Sequence, residues 1–305
     1  MSMNLRDLQY FAVVAEHRHL GRAAESLGLS QPALSMSLRR LERFLQTKLV
    51  KRTPKGVDLT TSGEAVSTHA RRLRLSVEDI SREVADLSAG RAGYLRIGTG
   101  AGSALHLVPT TYAALLKEAP KVIMKMVTGE RHVVLEALAN GELDVVLTTI
   151  QGPGYENLVE DFLYDQSFVV YASANHRLTK RRQVTLADLV QERWALTPIE
   201  NFAVQRLSRL FRESGLPPPS IALETTNMQT THTLIAVSEL LGFTSRQTVR
   251  YAAAHYPIAE LRVKDLSVTR PVGVVYRKDA YLSPTARRFI EILKARAKEV
   301  AAKKP

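Results

Sequence analysis

The chain has 305 residues, a formal net charge of +12 at pH 7 and no cysteine. Its length predicts two or three domains, and the lack of cysteine excludes disulfides, thiolate metal sites, thiol nucleophiles and thiol redox sensing. The positive excess favours a polyanionic partner, although net charge alone is weak evidence for nucleic acid binding. No apolar run approaches the roughly 18 residues of a membrane span, and the first residues lack the apolar core of a signal peptide. We therefore expect a cytoplasmic protein without membrane contact.

The first 28 residues predict two helices that pack together. Apolar residues at helical spacing give the opening helix an inner stripe, formed by Leu5, Leu8, Phe11, Ala12 and Ala15. The small side chains of Ala23 and Ala24 in the second helix allow a close approach, and Gly28 supplies the turn that ends it.

The stretch LSQPALSMSLRRLERFL, residues 29–45, predicts a third helix with one buried and one polar face. Ser30 is a good N-cap, and Pro32 lacks a backbone donor that would have no helical partner in the first turn. Leucines recur at helical spacing on the buried face, as Leu34, Leu38, Leu41 and Leu45. The opposite face carries long donors and small hydroxyls, namely Gln31, Ser35, Arg39, Glu42 and Arg43. This layout is typical of a helix-turn-helix, whose second helix enters the major groove of DNA.

A basic hairpin is predicted directly after the third helix, in KLVKRTPKGVDLT, residues 48–60. Such a hairpin is suited to holding the phosphate backbone as a wing, and a solvated hairpin on an ordinary helical domain is the alternative. The residues expected to contact DNA are Gln31, Pro32, Ser35, Met36, Arg39, Arg40, Lys51, Arg52 and Lys55.

Three motifs at fixed spacing identify a family resemblance: AAESLGLSQPALSMSLRRLE, KLVKRT and GVDLTTSGEAV. From Leu5 to about Val66 the chain resembles the winged helix-turn-helix of LysR-type transcriptional regulators. The resemblance implies a DNA-binding domain over residues 1–59 and a double-stranded DNA operator as partner. The chain departs from common family residues at Met36, Ser37, Gln46 and Val50, which affects the operator sequence and not the expected fold.

Residues 60–90 predict one long helix with an apolar stripe. The stripe consists of Val66, Ala70, Leu73, Val77, Ile80, Val84 and Leu87, at three- and four-residue steps. Such a stripe favours a partner helix, although a helix packed on its own domain is the alternative. In the resembling family this linker helix pairs two subunits, which implies a homodimer or homotetramer.

The remainder, residues 91–305, alternates short β-rich runs with helical stretches, as in a parallel α/β sheet. Its opening strand and glycine-rich turn, GYLRIGTGAGS, favour an enzyme with a dinucleotide site only weakly, because the third glycine of G-x-G-x-x-G is missing. The run KVIMKMVTGERHVVLEALANGELDVVLTTI resembles the LysR-type effector-binding domain, which is similar in fold to periplasmic binding proteins. That resemblance implies two α/β lobes. Lobe one covers about residues 91–163 and 269–305, and lobe two about residues 164–268.

The resemblance places a ligand cleft between the lobes, and open α/β sheets bind ligands at the carboxyl ends of their strands. Hydroxyls and free backbone N–H groups at predicted strand ends favour a small anionic effector, expected to be a carboxylate. The expected effector-binding residues are Thr99, Gly102, Ser103, Thr128, Thr148, Thr149 and Phe202. The alternative is that the hydroxyls only cap helices and turns.

Catalysis has little support in the sequence. The eight histidines are scattered without metal-ligand spacing, and no nucleophile elbow or phosphate-binding loop is present, so we expect no metal, no cofactor and no enzyme activity.

The sequence predicts an α/β protein with an N-terminal winged helix-turn-helix, a long linker helix and a two-lobed effector domain similar to periplasmic binding proteins. Its predicted function is DNA-binding transcriptional regulation. The alternative is a cytoplasmic solute- or nucleotide-binding α/β protein or enzyme with a small helical protein-interaction head.

Overall fold

The computed structural model describes residues 3–54, 56–89, 93–150, 157–198, 201–278 and 280–302. The chain divides into two compact units, residues 1–90 and 91–305. Among the helices in the described ranges, none is long and apolar enough to cross a membrane.

The first unit consists of helices and one hairpin, as its sequence predicts. In chain order these are α1 (Leu5–His17), α2 (Leu20–Ser26), α3 (Gln31–Phe44), β1 (Val50–Thr53), β2 (Gly56–Leu59) and α4 (Thr61–Ala89). The first three helices are N-capped by Asn4, His19 and Ser30 respectively. The side chain of each cap residue accepts a hydrogen bond from a backbone N–H of the first turn. The strands β1 and β2 pair antiparallel, which confirms the predicted hairpin.

The core of the first unit joins the inner faces of these helices. It includes Phe11, Ala23, Leu34 and Leu41, all nearly inaccessible to solvent. The first part of α4 packs on this core through Ala70, which confirms a packed role for that part of its stripe. Farther along α4, Val77 and Ile80 are exposed within the chain.

The second unit alternates strands with helices. It begins with β3 (Tyr94–Thr99), α5 (Ala101–Leu105), α6 (Leu107–Glu118), β4 (Ile123–Thr128), α7 (Arg131–Ala139), β5 (Val145–Thr149) and β6 (Leu158–Ser173). Two short 3-10 helices follow, Arg177–Lys180 and Ala187–Leu189. The unit continues with β7 (Arg193–Leu196), α8 (Phe202–Glu213), β8 (Ser220–Glu224), α9 (Met228–Ala236), β9 (Leu241–Ser245), α10 (Arg246–Ala253), β10 (Ile258–Glu260), β11 (Val268–Arg277) and α11 (Pro284–Ala302).

Two long antiparallel strands, β6 and β11, connect two lobes of this unit. The strand order is β4-β3-β5-β11-β6-β9-β7-β8, with β10 pairing β6. Parallel strands β3, β4 and β5 lie on one side of the crossing strands, and β7, β8 and β9 lie on the other. Each side has its own cores, around Ile97 and Phe289 in one lobe and around Trp194 and Leu207 in the other. The two-lobed fold is therefore confirmed, and the lobes meet at a cleft.

Candidate functional site

The N-terminal turns of α3 present a solvent-facing polar surface in the first unit. The Ser30 hydroxyl accepts a hydrogen bond from the Ala33 N–H at 3.3 Å, which fixes the start of the helix as the sequence predicts. Gln31, Pro32, Met36 and Arg39 are exposed, and Ser35 is half-buried. Exposed donors on a capped helix are available to base edges and phosphates.

Arg40, at the flank of this surface, is ion-paired within the unit. Its Nε and Nη2 donate to the two carboxylate oxygens of Asp7 at 3.0 and 2.6 Å, and the Ser37 hydroxyl donates to the same carboxylate. Asp7 is buried, and the Arg40 guanidinium holds the pKa of that carboxyl below its usual range. This contact joins α1 to α3 and occupies a side chain that the sequence places among the DNA contacts.

A groove of about 310 Å³ separates α3 from the β1–β2 hairpin. It is lined by Leu20, Ser35, Leu38, Arg39, Glu42, Lys48, Val50 and Arg52. At its floor the buried Glu42 carboxylate accepts from Lys48 Nζ at 2.7 Å and from the Leu49 N–H at 3.0 Å, which fixes the hairpin against the helix. Lys51 and Arg52 are exposed on β1, and Lys55 lies outside the described residues. The expected site residues omit Lys48, although the basic KLVKR run contains it.

The cleft of the second unit has a volume of about 430 Å³ and is lined by both lobes. Five of the seven expected effector residues line it, namely Gly102, Ser103, Thr128, Thr148 and Thr149. Thr99 does not, because it is fully buried and its hydroxyl donates to the Gly100 carbonyl at 3.4 Å. Phe202 lies outside the lining and packs against the lobe-two core, while its neighbours Asn201 and Ala203 line the cleft.

Lobe two contributes polar lining residues that the sequence analysis missed. They include Thr197, Thr226, Thr231, Ser245 and Thr248. Ser245 ends β9 and caps α10, its hydroxyl accepting from the Thr248 N–H at 3.2 Å. Thr197 follows the end of β7, so the strand-end rule used for lobe one predicts this residue too once the lobe-two strands are located.

A guanidinium also lines the cleft, from Arg270 on β11. Its Nε donates to the Gln166 side-chain oxygen at 3.1 Å, and its charge lies 4.9 Å from the centre of the Phe168 ring and 5.7 Å from that of Phe202. No carboxylate of the described residues lies within ion-pair distance of it. Burial lowers the pKa of Arg270 to about 10, so the group is still cationic at neutral pH.

The lobe-one histidines that follow lining segments in sequence, His106 and His132, do not line the cleft. His106 is held by its Nδ1, 2.8 Å from the Gly102 carbonyl, and burial lowers its pKa. Among the side chains that the structure describes, no group of three or more histidines and carboxylates is placed to hold a metal ion. The cleft offers hydroxyls, backbone amides and the guanidinium groups of Arg131 and Arg270, of which only that of Arg131 is ion-paired among the described residues, and this is the chemistry of ligand binding.

Two known domain families match the chain. The family described as "Bacterial regulatory helix-turn-helix protein, lysR family" matches residues 5–64, and "LysR substrate binding domain" matches residues 88–298. The SDS degradation transcriptional activation protein of Pseudomonas sp. is 31% identical over 93% of each chain. The HTH-type transcriptional regulator GbpR of Azospirillum brasilense is 28% identical over 96% of this chain and 86% of that protein.

Solved structures show the same fold over almost the whole chain. A full-length OxyR variant from Pseudomonas aeruginosa has a TM-score of 0.65 at 23% identity, covering 98% of this chain and 95% of that one. Full-length CbnR, crystallised in complex with its target DNA, has a TM-score of 0.62 at 22% identity, covering 97% and 100% of the two chains.

Proposed function

The chain belongs to the LysR family of DNA-binding transcriptional regulators with an effector-binding domain, and we propose from this premise which residues carry its two binding activities. The relatives are regulators and not enzymes, so the sites are sites of binding and not of catalysis. The proposed setting is the cytoplasm, where the operator DNA lies.

The proposed DNA-binding surface is the exposed face of α3 together with the groove beside it. Gln31 and Ser35 lie one helical turn apart near the start of α3, where base edges are in reach. Arg39, Lys48 and Arg52 line the neighbouring groove, and this convergence of cations beside a capped polar helix is the observation that carries the proposal. Cations at this place are suited to the phosphate backbone.

The proposed assembly is a homodimer or homotetramer joined through α4. Val77 and Ile80 are 39% and 60% exposed within the chain, although they continue the stripe that is buried at Ala70. Exposed apolar residues in the register of a buried stripe favour a second helix as their cover.

The proposed effector is a small anion that binds between the lobes. Both lobes contribute hydroxyl-bearing residues to the cleft lining, including Ser103 and Thr128 from one and Thr226 from the other. Arg270 adds a positive charge that no described carboxylate neutralises at ion-pair distance. Hydroxyls around an unneutralised cation favour an anionic ligand.

Quantitative binding to duplex DNA as a function of salt tests the DNA-binding surface. Arg52→Ala is expected to weaken binding to every duplex alike and to flatten the slope of log K against log salt by about 0.9 per lost phosphate contact. Gln31→Ala is expected to cost about 1 to 3 kcal/mol at the preferred operator only. Arg182→Gln, an exposed change in the other unit, serves as the charge control. If Arg52→Ala and this control have the same duplex affinity and the same salt dependence, the hairpin is not part of the DNA-binding surface.

A further inference from the structure

Arg270 occupies a special position in the second unit, because it lies on a crossing strand and also lines the cleft. In the β6–β11 ladder it is paired directly with Gln166, whose side chain is buried and also lines the cleft. The Gln166 amide oxygen accepts from the Nε of Arg270. That bond fixes the orientation of the guanidinium and leaves its other N–H groups for a further acceptor.

The groups that face this guanidinium do not neutralise it. Gln166 is neutral, and the rings of Phe168 and Phe202 flank it. Glu130, at the start of α7, acts on Arg270 through its electric field, and among the described residues it forms no ion pair with it. The other arginine of the lining, Arg131, is already engaged, since its Nε donates to the Thr149 carbonyl at 2.9 Å and its Nη2 lies 3.5 Å from Glu160.

An apolar wall adjoins the guanidinium. The Phe168 ring, against which Arg270 stacks, contacts the Phe243 ring with a centroid separation of 5.7 Å. Phe243, Met228 and Val272 also line the cleft. One partly desolvated positive charge therefore lies at the edge of an aromatic and aliphatic surface.

We propose that Arg270 binds the charged end of an organic monoanion, a carboxylate or a sulfate ester, whose hydrocarbon part lies against Phe243 and Met228. This rests on the proposed effector function of the cleft and specifies its ligand. The planar N–H fork of the guanidinium matches two oxygens of one acid group. The hydroxyl groups of Thr128 and Thr226, two exposed residues that line the cleft on facing lobes, are then left for polar substituents of the ligand and not for its charge.

The size and charge of the cleft favour an organic monoanion over an inorganic anion and over a phosphorylated dianion. A volume of about 430 Å³ is in the range of pockets for organic molecules and far exceeds one inorganic anion. A phosphorylated dianion would require a second cation, and Arg131 is already paired with protein oxygens. An organic monoanion with an apolar part matches both the positive charge of Arg270 and the apolar surface beside it.

Calorimetric titration of the full-length protein with a matched panel of probes tests the assignment. The panel contains benzoate, octanoate and octyl sulfate as organic anions, benzyl alcohol and 1-octanol as neutral counterparts, and inorganic sulfate. At millimolar concentration at least one organic anion is expected to bind, with its neutral counterpart and inorganic sulfate at least ten-fold weaker. The buried Trp194, adjacent in sequence to the lining residue Ala195, gives a second readout through its fluorescence.

Variants at Arg270 then test whether this side chain binds the acid group of the ligand. Arg270→Met is expected to weaken the best organic anion about ten- to 100-fold, and Arg270→Lys is expected to weaken it less, because it keeps a charge without the planar fork. Glu130→Gln is expected to tighten binding by removing a repelling charge, and Arg182→Gln to leave it unchanged. A thermal unfolding transition like that of the wild type shows that each variant is folded.

Three results would overturn the proposal: no binding by any organic anion, equal binding by the neutral counterparts, or an unchanged affinity in Arg270→Met. DNA binding without ligand is measured on the same preparations. Because that assay tests the first unit, a failed ligand assignment with intact operator binding is distinguishable from a failed regulatory function.

Discussion

At the scale of single residues, Arg39 and Arg40 show that adjacent arginines on one helix differ in role. Both are exposed, but Arg40 forms the bidentate pair with buried Asp7, whereas Arg39 lines the groove beside the hairpin. We expect Arg40→Ala to lower the free energy of unfolding more than Arg39→Ala does, because it leaves the buried Asp7 carboxylate with fewer donors. Arg39→Ala is expected to leave stability within about 0.5 kcal/mol and to weaken DNA binding.

Urea unfolding followed by circular dichroism measures the first effect, and operator binding measures the second. The double variant Asp7→Asn with Arg40→Ala supplies the coupling between the two side chains. Independent, additive effects of the two substitutions on stability would contradict the contact between α1 and α3.

His232 gives a prediction about pH at the same scale. It is buried beside the rings of Tyr171 and Tyr256, its Nε2 has no partner among the described residues, and burial lowers its pKa to about 4. Between the unfolded value near 6.5 and about 4, the unfolded chain binds a proton that the folded chain does not. Stability is therefore complete above about pH 6.5 and falls as the pH drops towards 4, by up to about 3 kcal/mol over this window.

His232→Phe is expected to remove this part of the pH dependence. The measurement is the difference between unfolding free energies at pH 7 and pH 4.5, compared with wild type and with His132→Gln, a change at an exposed histidine. The same loss of stability in His232→Phe as in wild type would assign the acid sensitivity to other groups.

The cleft shows what the sequence reveals at the residue scale. Ser103 and Thr128 are predictable because strand ends converge at one edge of a parallel sheet. Arg270 and Gln166 are not, because their pairing depends on the register of two strands that are about 100 positions apart in the chain. Thr99 ends β3, but its side chain is fully buried in the packing of the sheet. Side chains alternate between the two faces of a strand, so the face on which Thr99 lies cannot be predicted unless the exact end of the strand is known.

At the scale of elements, Gly63, the second glycine of the GVDLTTSGEAV motif, has a packing role that the sequence alone does not reveal. A Cβ on Gly63 would overlap the Leu49 carbonyl oxygen, so the start of α4 approaches the chain before β1 more closely than any side chain permits. We expect Gly63→Ala to destabilise the first unit by about 1 to 3 kcal/mol, as overpacking does. Thermal unfolding measures this.

Gly100→Ala is the matched control for that substitution, because nothing lies within 4 Å of the added methyl group. A loss of stability at Gly63 no greater than at Gly100 would contradict the close approach. The bounds of α4 agree closely with the sequence prediction, since one long helix was expected over residues 60–90 and Thr61–Ala89 is observed. The break between α5 and α6 at His106 was not predicted, because no proline or glycine at that position marks it.

At the scale of the whole molecule, two features favour a function that needs more than one chain. The first unit has one α3 with one adjacent groove, whereas a two-fold DNA site needs two such units at a fixed spacing. The apolar stripe of α4 is buried at Ala70 and exposed at Val77 and Ile80. Sequence periodicity predicts the whole stripe, but it cannot separate the part that packs within the chain from the part left for a partner, because both parts have the same spacing.

The final prediction concerns this second part of the α4 stripe. Ile80→Glu places a charge where a paired helix would bury an apolar side chain, so we expect the oligomer to dissociate, as seen by sedimentation velocity. Operator affinity is expected to fall by a factor of about 100 or more, because two linked heads bind with a high effective concentration and a single head does not. Footprinting should then show one protected half-site instead of two. Ser81→Glu, an equal charge at the adjacent exposed position, is the control and should keep both the oligomer and the two half-sites. An Ile80→Glu protein with unchanged sedimentation and a complete footprint would show that α4 does not pair the subunits and that its exposed apolar residues have another role.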